Sequence, residues 1–166
     1  MSGAPAAMGN DADWLPLITR YYDACANADV NELEAVLHPD VVHWFLAPNV
    51  GSHAVRGHAH LARYWRKVAG MLEAVWLVDE IVQSGSRAVI EWTMYWHPTG
   101  SAPGARVATR GSEWFDMVDG RINEIRSYYQ QQSFDTELDG FPYGDRGYST
   151  VSDPVSRLHT PRLNDR

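Results

Sequence analysis

With 166 residues and 45% hydrophobic content, the chain is long enough to bury one core and too short for two comfortable domains. A formal charge of -7 without a long Lys/Arg run removes the electrostatic reason to expect nucleic acid or an anionic membrane as a partner. Cys25 is the only cysteine, MSGAPAAMGN has neither a basic nor an apolar segment, and no stretch approaches the roughly 20 apolar residues that cross a bilayer, so a soluble, cytoplasmic protein without disulfide or secretory signal is expected.

Residues 1–10 are small and polar without periodicity and read as disordered. Asp13 is placed as an N-cap with Pro16 in the first turn, and Trp14, Ile18, Tyr21, Tyr22 and Cys25 recur at helical spacing to about Ala28. Asp29 and Glu32 form a capping-box pattern before Val30, Leu33, Val36 and Leu37, and Pro39 is expected to stop this second helix near His38. The run from Val41 to Leu46 is β-branched and aromatic and reads as a short strand, followed by a loop from Pro48 to Gly57. Leu61, Tyr64, Trp65 and Val68 predict a third helix, with Gly70 as its C-terminal stop. The period then changes to two, predicting four strands at about Leu72 to Gln83, Arg87 to His97, Arg106 to Val118 and Arg121 to Gln131. Ser84-Gly85-Ser86 and Asp119-Gly120 are the turns of two hairpins. Residues 132–166 form a tail. Phe134, Leu138, Phe141, Tyr143 and Tyr148 are expected to dock it on a neighbouring surface or over a pocket mouth, while its end from about Ser152 reads as disordered.

Four segments carry a family resemblance: YYDACANADVNELEAVLHPDVV (Tyr21 to Val42), RGHAHLARYWRKV (Arg56 to Val68), SRAVIEWT (Ser86 to Thr93) and FDMVDGRINEIRSYYQ (Phe115 to Gln130). In this order and with these gaps the chain resembles the SnoaL-like polyketide cyclase and ketosteroid isomerase group of the nuclear transport factor two superfamily. The resemblance implies an α+β fold over residues 11–131: a cone-shaped α+β barrel, three N-terminal helices packed on a curved antiparallel sheet, with a pocket between the layers. It also implies a homodimer through the outer sheet face. The fold hosts isomerases, cyclases, dehydratases, epoxide hydrolases and non-catalytic binding modules, so activity has to be argued from the site.

A two-residue Asp119-Gly120 loop sets Val118 opposite Arg121, Phe115 opposite Glu124 and Glu113 opposite Arg126. Glu113, Phe115, Met117, Arg126, Tyr128 and Gln130 then share a face, and the resemblance implies that this face lines the pocket. A carboxylate, a guanidinium and a phenol together suit acid–base work, with Glu113 as acid or base and Arg126 and Tyr128 orienting substrate or stabilising negative charge. The structural alternative is that Glu113 and Arg126 form a cross-strand ion pair. Many relatives carry an acidic residue where this chain has Gln130, so their mechanism does not transfer directly. His43 on the first strand is the other proton-shuttle candidate. Tyr22, Trp65, Ile90, Trp92, Met94 and Trp96 are expected pocket walls, with Gln130 among the substrate contacts. His53, His58 and His60 lack an acidic partner at helical spacing, so no metal is expected. Without a GxGxxG, Walker, GxSxG or CxxC motif, no cofactor is expected either. The expected partner is a hydrophobic small molecule that undergoes isomerisation, aldol-type cyclisation or dehydration. The alternatives are a non-catalytic ligand-binding or assembly domain and an epoxide hydrolase.

Overall fold

The fold is described by a computed structural model that covers residues 12–46, 53–98, 100–102, 104–129 and 136–164. Helix α1 (Leu15–Asn27) carries Pro16 in its first turn, where no N–H is needed. It buries Ile18, Tyr21, Tyr22 and Cys25 on one side. Asp29 caps α2 (Val30–Val36) by accepting from the Glu32 N–H. Strand β1 (Leu37–Trp44) then starts directly, so the chain is extended before Pro39 and the helix ends two residues earlier than expected. The expected loop contains a short strand, β2 (Ala54–Arg56). Helix α3 (His58–Leu72) runs past Gly70 and ends instead on Glu73 in the left-handed conformation. Strands β3 (Val75–Ser84), β4 (Arg87–Trp96), β5 (Val107–Val118) and β6 (Arg121–Tyr129) form the expected meander.

The six strands make one curved, unclosed sheet in the order β2-β1-β6-β5-β4-β3. All neighbours are antiparallel except β1 and β6, which run parallel, so the sheet is mixed rather than wholly antiparallel. The three helices cover its inner face. Ile18, Leu33, Leu61 and Trp65 meet Ile90, Phe115, Ile122 and Ile125 in one buried core. Each such fully buried side chain contributes about 1.5–3 kcal/mol of burial.

Two irregularities decide which side chains reach that face. Between Asp116 and Met117 the β5–β6 register shifts: Met117 pairs with Ile122 and Asp116 with Glu124, leaving Asn123 as the extra residue of a bulge. A second shift between Val78 and Glu80 leaves Asp79 unpaired in β3.

Residues 136–149 lie across the outer face of β3–β5, and the residues that follow run past the β3 edge to α1. Arg110 is stacked 3.6 Å over the Tyr143 ring, and the Ser149 N–H donates to Asp79 Oδ1 at 2.7 Å. β3 is the sheet edge, and its Val78 backbone groups are satisfied by this strap: the carbonyl accepts from Ser156 Oγ at 2.6 Å and the N–H donates to His159 Nδ1 at 3.2 Å. His159 Nε2 in turn donates to Asp23 of α1 at 3.0 Å. Tyr143 and Tyr148 are buried in this contact, whereas Leu138, from the same expected docking set, is 66% exposed; beyond Ser152, where the sequence predicts disorder, Ser156 and His159 are buried. Phe134 lies outside the described residues.

Candidate functional site

Glu113 sits mid-strand on β5 with only 4% of its surface exposed. The Asn123 bulge places Ser127, not Arg126, directly opposite it. This corrects the expected register: beyond the bulge every β6 side chain is displaced to the other face, as a one-residue slip demands. Ser127 and Tyr129 therefore face inward with Glu113, whereas Arg126 and Tyr128 lie on the outer face. Arg126 pairs there with Asp116 at 2.6 Å and with Glu124, and these carboxylates, Asp116 foremost, hold its pKa above the ordinary value. Tyr128 is 53% exposed. The Glu113–Arg126 cross-strand pair does not form, and neither Arg126 nor Tyr128 lines the cavity that contains Glu113.

Other groups hold the carboxyl. The Tyr22 hydroxyl of α1 donates to Glu113 Oε2, and the Ser127 hydroxyl donates to Oε1 at 2.5 Å. Because Ser127 spends its one proton on Glu113, its oxygen is left to accept from His43 Nε2 at 2.6 Å. His43 lies on β1 beside Ile125, stacks on Phe45 with centroids 4.1 Å apart, and has the Tyr21 hydroxyl 3.5 Å from Nδ1. A chain of side chains from three elements thus converges on one carboxyl: Tyr22 on one oxygen, and His43 through Ser127 on the other.

The electrostatics follow from dryness. Burial pushes Glu113 up to about 7, although the hydrogen bonds from Ser127 and Tyr22 favour its charge. Burial pushes His43 down to about 3, so it is neutral. The 3.7 Å approach of His43 Nε2 to Glu113 Oε1 is therefore the geometry of a neutral imidazole beside a carboxyl that titrates near neutrality. Such a group is poised to take or give a proton at physiological pH.

Glu113 and Ser127 form the floor of a cavity of about 240 Å³ between the layers. Its walls are Tyr64, Trp65, Val68 and Leu72 of α3, Trp76 of β3, Trp92 and Met94 of β4, Tyr129 of β6, and Phe45 just beyond β1. Of the expected walls, Trp65, Trp92 and Met94 line it, and Tyr22 touches its carboxyl. Ile90 is buried in the core beneath, and Trp96 turns aside to donate to Thr109 at 3.0 Å. Gln130 lies outside the described residues. Cys25 is buried in the α1 stripe. Ser127, Tyr64, Phe45 and Tyr129 were not singled out by sequence. The signal for the first was the Ile122-x-x-Ile125 spacing, since two core isoleucines three apart on one strand require a bulge between them.

Comparison with known proteins agrees with this architecture. The SnoaL-like domain family is matched by residues 18–125. A protein of unknown function with a cystatin-like fold from Methylobium petroleophilum PM1 is 32% identical, with 90% of this chain and 94% of that one covered and a TM-score of 0.61. An LEH-like epoxide hydrolase from M. tuberculosis is 24% identical over 70% of this chain and 81% of its own, with a TM-score of 0.55. A putative polyketide cyclase from Sinorhizobium meliloti is 22% identical over 68% and 93%, with a TM-score of 0.52; these last two likenesses are of fold. No curated protein matches the sequence.

Proposed function

The chain belongs to the SnoaL-like domain family, and from that membership and its site we propose that it is a cofactor-independent, cytoplasmic enzyme that moves protons on a hydrophobic small molecule. Isomerisation, aldol-type cyclisation and dehydration all fit, with Glu113 as the acid–base group. The observation that carries this reading is the placement of Glu113: buried, titrating near 7, and at the floor of an aromatic cavity. Of Tyr22, Ser127 and His43, only Ser127 lines the cavity. All three orient the carboxyl and set its proton affinity. His43, neutral and buried, acts through Ser127 rather than as an independent base.

In the ionised state Glu113 accepts on both oxygens, which keeps the carboxylate populated while lowering its proton affinity against the upward push of burial.

The epoxide-hydrolase alternative relied on an arginine beside the carboxylate, and Arg126 lies on the opposite face of the sheet. The outer face beyond the strap, with Trp44, Trp114 and Tyr128 exposed, is the surface offered for pairing of two copies; sedimentation of the protein tests that point.

The function is tested by a binding and thermal-shift screen of hydrophobic carbonyl, terpenoid and polyketide-like compounds against wild type and Glu113→Gln, with product analysis on each hit. Turnover by wild type alone, with binding retained in the variant, is the expected result. Equal binding and conversion by neither protein would make the cavity a binding module.

A further inference from the structure

We propose that the Glu113 cavity takes a compact organic cation, a tertiary or quaternary ammonium on an apolar body, whose charge pairs with the Glu113 carboxylate; this rests on the acid–base reading above for Glu113 as the working group of the pocket. Among the described residues no lysine, arginine or histidine lines the cavity, and Glu113 is its acidic group. Arg126 is committed to Asp116 and Glu124 on the outer face. His43, 3.7 Å from the carboxyl, is neutral because burial disfavours its charged form. The hydroxyls of Tyr22 and Ser127, which hold the carboxyl, carry no charge. A buried charge is ordinarily paired. The place left for the missing partner is the cavity, which the Glu113 side chain lines with 6% of its surface open.

The walls select the kind of cation. Phe45, Tyr64, Trp65 and Trp76 make a continuous aromatic wall, with successive ring centroids 5.1, 5.1 and 5.3 Å apart. Trp92 and Tyr129 add a pair 5.9 Å apart on the sheet side. Ring faces carry the negative end of the aromatic quadrupole, so they attract a cation whose charge is spread over carbon-bound hydrogens. A metal ion finds no such fit, because it requires oxygen or nitrogen ligands on several sides and the rings offer none. A fully alkylated nitrogen needs no acceptor for N–H groups, which suits walls of rings and of Val68, Leu72 and Met94. The volume of about 240 Å³ lies below the usual range of drug-sized pockets, roughly 300–1,000 Å³, and limits the body to one ring or a short chain.

A cation also prepares the base. Without one, burial keeps the proton on Glu113 up to about 7. A positive charge beside the carboxyl favours its ionised form, so the bound molecule turns Glu113 into the carboxylate that can accept a proton. Cation binding and ionisation are thereby linked, and below the Glu113 titration the cation must displace a proton to bind. Tyr64 of α3 and Tyr129 of β6 are wall phenols beside it. The other titratable groups packed around Glu113, namely Tyr21, Tyr22 and Cys25 of α1 and His43 of β1, stay neutral through this range because burial disfavours their charged forms. Selectivity follows: a neutral ligand leaves the carboxylate unpaired, and an anion meets like charge.

The probe pair is choline and 3,3-dimethylbutan-1-ol, which share shape and differ in whether the branched centre is a positive nitrogen or a carbon. Each is titrated into the full chain one pH unit above and one below the Glu113 titration, at about pH 8 and about pH 6. Binding is read from tryptophan fluorescence and from calorimetry. At the higher pH choline should bind about tenfold more tightly than the alcohol. Its affinity should fall about tenfold at the lower pH, the factor for a group that must be ionised in the complex, while that of the alcohol changes by no more than about twofold. Glu113→Gln should bring the two probes within about twofold of each other. Equal affinities in wild type, a choline affinity that is flat across this range, or no choline binding at tens of millimolar would overturn the proposal. All three are read in the unaltered protein, so a variant that fails to fold does not spare it. The compound screen separates the two readings. Turnover of neutral compounds with equal affinity for the probe pair keeps the acid–base reading and overturns the cation. A preference for choline with no turnover of any compound, cations included, keeps the cation and refutes the acid–base reading.

Discussion

Replacing Glu113 by Gln removes one of two buried groups that pull the stability of this fold in opposite directions as pH changes. Glu113 titrates at about 7 against an ordinary 4.5, because burial disfavours its charge. Between those values the folded protein holds a proton that the unfolded chain releases, so stability falls as pH rises. His43 titrates at about 3 against an ordinary 6.5, also through burial. Between those values the unfolded chain holds a proton that the fold excludes, so stability rises with pH. Each slope is about 1.4 kcal/mol per pH unit. From pH 4.5 to 6.5 both act, and the two contributions cancel. In Glu113→Gln the His43 slope stands alone, and stability relative to wild type should climb by about 3 kcal/mol over that window. His43→Gln should show the mirror image, a relative fall of about the same size. Urea unfolding followed by tryptophan fluorescence at several pH values across the window measures both. Wild-type and Glu113→Gln stability curves that run parallel there would refute the claim that the folded interior keeps Glu113 protonated in mild acid.

Ser127→Ala removes the donor on Glu113 Oε1, and a hydrogen bond to a charged group is worth about 1.5–3 kcal/mol. The Glu113 titration should therefore move upward by one to two units, read from the carboxyl carbon resonance, and an unmoved titration would remove Ser127 from the network. Arg126→Ala, on the outer face, should leave turnover unchanged within about twofold, as expected for a surface substitution; a larger loss would return Arg126 to the site. Ending the chain after Asp135 strips the strap from Leu77 and Tyr95, both buried on the outer face. The melting temperature should drop by about 10 °C or more, and an unchanged value would mean that the strap contributes little.

Much of the architecture was legible because periodicity reports burial directly. Leu61, Tyr64, Trp65 and Val68 can only be a helix face, and the Asp119-Gly120 turn correctly set Val118 against Arg121. The site was less legible because it depends on phase. Five residues past the turn the single extra Asn123 had already exchanged the two faces of β6, moving Arg126 and Tyr128 outward and Ser127 and Tyr129 inward. Glu113 kept its inward place because β5 itself is regular against β4. His43 was identifiable as a residue type, but its link to Glu113 through Ser127 joins side chains 84 and 14 positions apart. No local pattern encodes that. The order of the tail was hidden for a similar reason: Ser156 and His159 are held by groups on β3 and α1, whereas composition speaks only of the tail itself.

The contact between His159 and Asp23 spans 136 positions, and Asn27 makes two more of this kind with the backbone of Arg162 and Asn164. A helix formed early in synthesis therefore waits for its last ligands until nearly all of the described chain has been made. Contacts of such high sequence separation slow the search for the native state, because the loop they close must be ordered before they repay its entropy. During that interval the edge of β3 stands bare, with the Val78 amide and carbonyl open to pairing with another chain. The strap is thus also a timing element: the interval between completing the sheet and covering its edge is when aggregation competes with folding.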